Sequence, residues 1–459
     1  MGSNQKFKEF VMRTAESVAD LSQREKVAYA IDKYEESFAT GLSRYSKLTV
    51  ARQRAGYLKN KALNELDRYL IEFEDNFTSN GGKIIWARDA EEARDEIAKM
   101  IKKRGVSKVV KSKSIITEEI HLNEFLINKG IDVCETDLGE FIVQLAGDKT
   151  FHIVTPAMHF SKEDVSTLYA EKLSAPENLT PEEITQFTRN HLRPKFAEAQ
   201  MGITGANFLI SDMGGVAITE NEGNGLLTMS VPKTHLVIAG IDKLIPSLEN
   251  LDVFWPLLAS HGTGQSVTAY NSIITGPRKE GEFGGPEEVI LILIDNGRTN
   301  ILAQEKQRQA LSCIKCGACL NACPVYKLIG GKAYGTTYQG PIGAVLTPFL
   351  LGFDEYSHLS FASSLCGKCD TVCPVNIPLH NMLIYNRNYA IKNGFKAISN
   401  TRRVKWFTKV SSSRKLLDLP SSSLKNMIVG QIMKKSWGKE REMPKLADKS
   451  FNQQYKERN

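Results

Sequence analysis

Seven of the eight cysteines lie between positions 313 and 373. The first four read Cys313-x2-Cys316-x2-Cys319-x3-Cys323-Pro324. Bacterial ferredoxins hold a [4Fe–4S] cluster with this spacing, and the fourth cysteine serves a second cluster. Each corner iron of a cubane needs one thiolate. Gaps of two residues let one tight loop deliver three sulfurs while its N–H groups point at the cluster. Gly317 relieves crowding in that loop, and Pro324 turns the chain away.

A second run, Cys366-x2-Cys369-x3-Cys373-Pro374, matches the last three cysteines of the first when the two are aligned on Cys-Pro. Ser363 then stands where the first cysteine would be, with Ser364 beside it. The two-cluster pattern assigns Cys313, Cys316, Cys319 and Cys373 to one cluster and Cys323, Cys366 and Cys369 to the other. The second cluster is one thiolate short, so a [3Fe–4S] form is expected beside the [4Fe–4S] form. A structural zinc site is the competing reading, but it needs four ligands per ion, and seven thiols at these spacings do not divide that way. Cys134, in IDVCETD, reads as a small buried apolar residue.

The remaining candidates are dispersed. GITGANFLISDMGGVAITENEGNG (202–225) is rich in Gly, Asn and Thr, as are loops at the carboxyl ends of α/β strands, where ligands bind. It contains no dinucleotide fingerprint, and the chain has no phosphate-binding P-loop. Within the run, Glu222 and the glycines read as shaping turns. Lys233 and His235 enter a strand as a carboxylate-binding pair, or as a surface lysine and a core histidine. His261–Ser266 (HGTGQS) reads either as an anion-binding loop or as a helix-end turn.

The elements that position these groups follow from periodicity. Residues 1–80 read as helix, with apolar residues spaced at three and four around a polar, Arg-rich stretch. From 81 to 300 strands alternate with helices: KIIWA, a helix opened by Asp89 and closed by Gly105, SKVVKS, a helix through ITEEIHLNEFLINKG, and IDVCE. FHIVTP, NFLISD, GVAITE, HLVIAGI and EEVILILIDNG are further candidate strands. This alternation predicts an α/β domain with a largely parallel sheet. The cysteine unit occupies 301–395 and is helical. A basic tail, 396–459, carries two serine runs, Ser411–Ser413 and Ser421–Ser423, that read as linkers around the amphipathic LKNMIVGQIMKKSW.

The 459 residues carry a net charge of +7. From Asn381 to Asn459 there are 18 Lys and Arg against 5 Asp and Glu, so +13 lies there and −6 on the rest. Such a tail suits an acidic partner, an anionic membrane or simple solvation. No nucleic-acid motif accompanies it. No apolar run approaches the roughly 20 residues of a membrane span. The N-terminus lacks an apolar signal core, and MGSNQK departs from the myristoylation pattern at Lys6. A cytoplasmic location is expected, where clustered cysteines bind metal rather than form disulfides.

Several blocks occur in an order that resembles the lactate utilization protein B family over roughly 50–395. They are KSKSIITEEI (111–120), ETDLGEFIVQLAG (135–147), HIVTPAMH (152–159), GITGANFLISDMGG (202–215), TENEGNG (219–225), PKTHLVIAGIDKLIPSLE (232–249), TGPRKEGEFGGPEE (275–288), DNGR (295–298), CIKCGACLNACPVY (313–326), GGKAYGTTYQGPIGAVLTP (330–348) and LCGKCDTVCPVNIPLH (365–380). The resemblance implies an α/β lactate-utilization domain, similar to the ribose-5-phosphate isomerase and CoA transferase-like folds, followed by a helical two-cluster ferredoxin-like domain. It carries the family's ligands onto the seven clustered cysteines. It also implies the iron–sulfur subunit of a system oxidising L-lactate, with a cysteine-rich subunit and a small lactate-utilization-domain subunit as partners. Glu222 gains interest because CoA transferases use a glutamate nucleophile on a similar fold. The alternative function is a non-redox scaffold or sensor in the same assembly.

Overall fold

The computed structural model describes residues 5–395, 408–414, 416, 421–437, 442 and 445–458. The chain forms two compact units, Met1–Ala397 and Ile398–Asn459.

The first unit is built on ten strands. These are β1 (Lys83–Ala87), β2 (Lys108–Lys111), β3 (Asp132–Glu135), β4 (Met201–Thr204), β5 (Phe208–Ile210), β6 (Gly215–Glu220), β7 (Thr234–Gly240), β8 (Leu244–Ile245), β9 (Tyr270–Ile274) and β10 (Glu288–Ile294). Six form a parallel sheet in the order β1-β10-β7-β4-β2-β3. The other four form a small mixed sheet, β8-β5-β6-β9.

A parallel sheet buries both faces, so its central strands must be apolar throughout. EVILILI meets that demand. Ile290, Ile292 and Ile294 pack into one layer with Ala93, Ile97 and Ile101 of the helix Ala90–Arg104. Val289, Leu291 and Leu293 pack into the other with Phe73 and Phe77 of the helix Leu66–Ser79. Each such side chain contributes about 1.5–3 kcal/mol by leaving water. Asp89 caps its helix by accepting from Glu92 N–H, and Gly105 closes it in the left-handed region, as expected.

Several expected elements differ. FHIVTP is not a strand. His152 Nδ1 accepts from the N–H groups of Val154 and Thr155, at 3.0 and 3.1 Å, and the segment curls around its own side chain instead of joining a ladder. ITEEIHLNEFLINKG is not one helix. It breaks into Ile115–Glu119 and Leu122–Ile127 at His121, which adopts φ 51°. The Arg-rich stretch between the first helices is itself the helix Leu48–Asn64. It passes so close to the cysteine unit that a Cβ on Gly56 would sit 2.8 Å from Val375 O.

The cysteine unit is helical and shares one core with the α/β sheets: Cys316, Cys319, Cys323, Cys369 and Cys373 pack in the same cluster as Leu58, Phe208 and Phe254. Within the first unit, Arg298 ties the cysteine segment to the sheet region. It binds Asp242 at 2.6 Å and Glu119 at 2.8 Å, all three buried, and Tyr338 O–H donates to Glu119.

In the second unit, the serine run at 421–423 does not link. Ser421 accepts from Leu424 N–H and opens the helix Ser422–Trp437, as its N-cap chemistry favours. LKNMIVGQIMKKSW lies in this helix, and most of its apolar side chains fall outside the described residues. Among the described residues, no helix is long and apolar enough to cross a membrane.

Candidate iron–sulfur centre and adjoining cavity

The two cysteine runs have one backbone conformation, used twice. Lys315 and Leu365 both adopt positive φ, at 62° and 54°. Gly317 and Gly367 follow at 79° and 77°. Four-residue helices come next, Ala318–Asn321 and Lys368–Thr371, and each run then ends in Cys-Pro. A left-handed non-glycine residue is strained, and the same strain at matched positions marks a functional constraint.

The thiols feel one another mainly within two groups, with Cys319 and Cys369 neighbours across them. Cys316 and Cys319 are buried, and Cys313 and Cys373 are their charge neighbours. Burial pushes both thiols up, and the nearby Cys313 adds to it. In the other group, Cys323 and Cys369 are buried beside each other, Cys366 is a charge neighbour of Cys323, and Cys366 itself is exposed. All eight cysteines are free thiols. Cys134 is buried on β3, away from both groups.

Local hydrogen bonds hold the loops. Lys315 N–H donates to Cys313 Sγ at 3.4 Å, and Ile377 N–H donates to Cys373 Sγ at 3.3 Å. Arg52 donates to the carbonyls of Cys373, Thr371 and Asp370 at 2.7, 2.8 and 3.0 Å, pinning the end of the second loop to the helix Leu48–Asn64. Asp370 pairs with His380 beside Cys369. The donor set fits iron–sulfur clusters: seven reduced thiols on two like-shaped loops with N–H groups aimed at sulfur. Among the described residues, no three His, Cys, Asp or Glu side chains converge as ligands of a single ion would.

A cavity of about 530 Å³ adjoins the first loop. Its walls come from the carboxyl ends of the parallel strands, with Ser112 after β2, Asp137 after β3, Gly205 after β4 and Gly240 ending β7. Ile314, Lys315 and Cys316 also line it. The Gly- and Asn-rich run therefore lies where the sequence suggests, with Asn207, Glu220 and Glu222 on the wall.

Glu222 accepts from Leu138 N–H at 3.1 Å, and burial raises its carboxyl above the usual range. Glu140, not singled out in the sequence, is pushed up to about 8 by burial. Lys233 and His235 are not brought here. Both sit at the opposite end of β7, Lys233 exposed near Glu287, and His235 buried against Thr204 Oγ1 at 2.8 Å. His261 and Gly262 end the helix Leu251–Gly262 and Thr263–Ser266 follows it, so a helix-end turn is what forms, and Gly262 and Thr263 line the cavity. The cations on the cavity wall are instead Lys113, Lys243, Arg298 and Lys315. All four lie in blocks that carry the family resemblance, Lys113 in KSKSIITEEI, Lys243 in PKTHLVIAGIDKLIPSLE, Arg298 in DNGR and Lys315 in the cysteine loop, but none of them stands out in the sequence as a ligand-binding cation.

The LUD domain family matches residues 70–294, and the 4Fe-4S dicluster domain family matches residues 309–377. Lactate utilization protein B of Bacillus cytotoxicus is 41% identical over 417 residues, covering 88% of each chain. That of Bacillus subtilis (strain 168) is 45% identical over 366 residues, covering 79% of this chain and 76% of its own. A crystal structure of a DUF162 family protein from Deinococcus radiodurans covers 50% of this chain and 98% of its own, at 16% identity and a TM-score of 0.28. With identities above 40% over most of its length, the chain belongs to the lactate utilization protein B family.

Proposed function

We propose that this chain is the iron–sulfur electron-transfer subunit of a system that oxidises L-lactate to pyruvate. The observation that carries the reading is the repeated cysteine loop, one copy bordering a cavity and the other reaching solvent at Cys366. Cys313, Cys316, Cys319 and Cys373 would hold one cubane, and Cys323, Cys366 and Cys369 would hold the second, with Ser363 at the place of a fourth ligand. Bound clusters supply one-electron storage and transfer, which suits a reaction releasing two electrons and two protons. The chain's own residues provide the rest. The loops bury Cys316, Cys319 and Cys373, the cavity receives a small organic ligand, and the exposed rim at Cys366 faces a partner. The relatives' name supplies the substrate. The partners are a cysteine-rich subunit and a small subunit with a second lactate-utilization domain.

The test is anaerobic co-purification with these neighbours. Spectra should show cluster reduction on addition of L-lactate, with about seven to eight irons per chain and matching sulfide. Stoichiometric zinc without sulfide refutes the iron–sulfur reading. Clusters that no physiological reductant reduces refute electron transfer and leave a scaffold.

A further inference from the structure

Two lysines on the cavity wall have no ion pair among the described residues, although both feel the nearby Asp242 carboxylate. Lys243 ends the turn Ile241–Lys243 after β7, and Lys315 lies between the first two cysteines. Among the described residues, neither Nζ has a hydrogen bond or an ion pair; Lys315 Nζ only lies 4.4 Å from the centre of the Tyr338 ring. The other two cations on the wall are engaged. Lys113 donates to Val154 O at 2.6 Å and pairs with Glu140. Arg298 is held by Glu119 and Asp242.

The groups nearest Lys243 are already committed. The Asp242 carboxylate turns to Arg298, and Lys59 Nζ takes the carbonyls of Asp242 and Leu244 at 2.5 and 3.1 Å. Lys243 keeps some accessible surface, yet protein surrounds it so fully that burial drives its ammonium down to about 8. The surface that remains is on the cavity wall. Asp242 and Cys313 draw that ammonium back up in part, and Lys315 adds a repulsive like charge. The one carboxylate that acts on both, Asp242, is shared with Arg298 and Lys59, so two sheltered cations gain from a further anion.

We propose that Lys243 and Lys315 receive the acidic group of the cavity's ligand, the carboxylate of a 2-hydroxy acid, and hold it against the first cysteine loop. The inference rests on the lactate-oxidising reading and names the residues that select its substrate. Ile238, Leu258 and Val154 give the carbon body an apolar wall. One carboxylate neutralises part of the paired charge and gains charge-assisted hydrogen bonds from both amines.

The experiment uses the full chain, anaerobic and with clusters in place, and radiolabelled L-lactate in equilibrium dialysis. Wild type should bind saturably. Lys243→Met and Lys315→Met should each weaken binding at least tenfold, and Lys243→Arg should keep a measurable part. Iron content should not change in Lys243→Met. Without ligand, Lys243→Met should melt above wild type, because an unpaired buried charge has gone. The proposal is overturned if wild type binds no lactate, or if both methionine variants bind within twofold of it. It is also overturned if Lys243→Met melts lower, or if inorganic phosphate binds the cavity while lactate does not. Dithionite reduction of the clusters in the same samples keeps the two readings apart. Redox-active clusters in a wild type that ignores lactate defeat this proposal alone.

Discussion

Ser363 Oγ accepts a hydrogen bond from the Leu365 backbone N–H at 3.2 Å. Cys313 Sγ accepts from Lys315 N–H, at 3.4 Å, in the matching place of the first loop. The serine hydroxyl thus occupies the position of the missing thiol, on a backbone with the same left-handed turn. A hydroxyl is a weaker iron ligand than a thiolate, so this corner of the second cluster should be labile. Oxidised wild type should give a [3Fe–4S] signal by electron paramagnetic resonance. Ser363→Cys should suppress it and raise iron content toward eight per chain. An unchanged spectrum in the variant would show that Ser363 does not face the cluster.

Arg52 is the main brace on the second loop, with three carbonyl contacts between 2.7 and 3.0 Å. Hydrogen bonds from a charged donor contribute about 1.5–3 kcal/mol, and Cys373 belongs to the first thiol group. Arg52→Ala should lower the melting temperature by several degrees and speed loss of iron to a chelator. Arg52→Lys should rescue only part, since one ammonium cannot reproduce the planar fork. Chelation kinetics matching wild type in both variants would show that the contact braces nothing.

What the sequence reveals depends on how tightly chemistry or packing constrains it. Cluster ligation dictates spacing, so the cysteines and Ser363 stand out. Burial on both faces dictates composition, so β7 and β10 do as well. The buried face of the helix Leu48–Asn64 is hard to read because it sets only Leu58 and Leu63 among Ala55, Gly56, Ala62 and a lysine, Lys59, that bonds carbonyls rather than solvent. FHIVTP has strand composition, but the His152 ring takes the backbone donors. Lys243 resembles any surface lysine. Only the fold that closes around it makes it part of a site.

The cavity wall separates two of the sequence candidates. Glu222 lines it and Lys233 does not. Glu222→Gln should therefore slow lactate-dependent cluster reduction by about tenfold or more, the scale of losing one positioned carboxylate. Lys233→Ala should leave the rate unchanged, and iron content should stay normal in both. Full turnover in Glu222→Gln would reduce that residue to its role of accepting from Leu138 N–H.

The buried histidines predict how the protein responds to acid. Burial drives His235 down to about 3, against an ordinary value near 6.5. The unfolded chain takes up this proton below pH 6.5, and the folded chain does not until about pH 3. The stability this histidine contributes is complete above pH 6.5 and is lost progressively as pH falls toward 3. The slope is about 1.4 kcal/mol per pH unit. His152, also driven to about 3 by burial, adds a second such term. His235→Gln keeps a polar group able to reach Thr204 and cannot titrate. Its anaerobic melting temperature should fall less steeply than that of wild type between pH 6.5 and pH 5, even if it starts lower. Parallel curves for the two proteins would show that His235 already carries its proton in the fold.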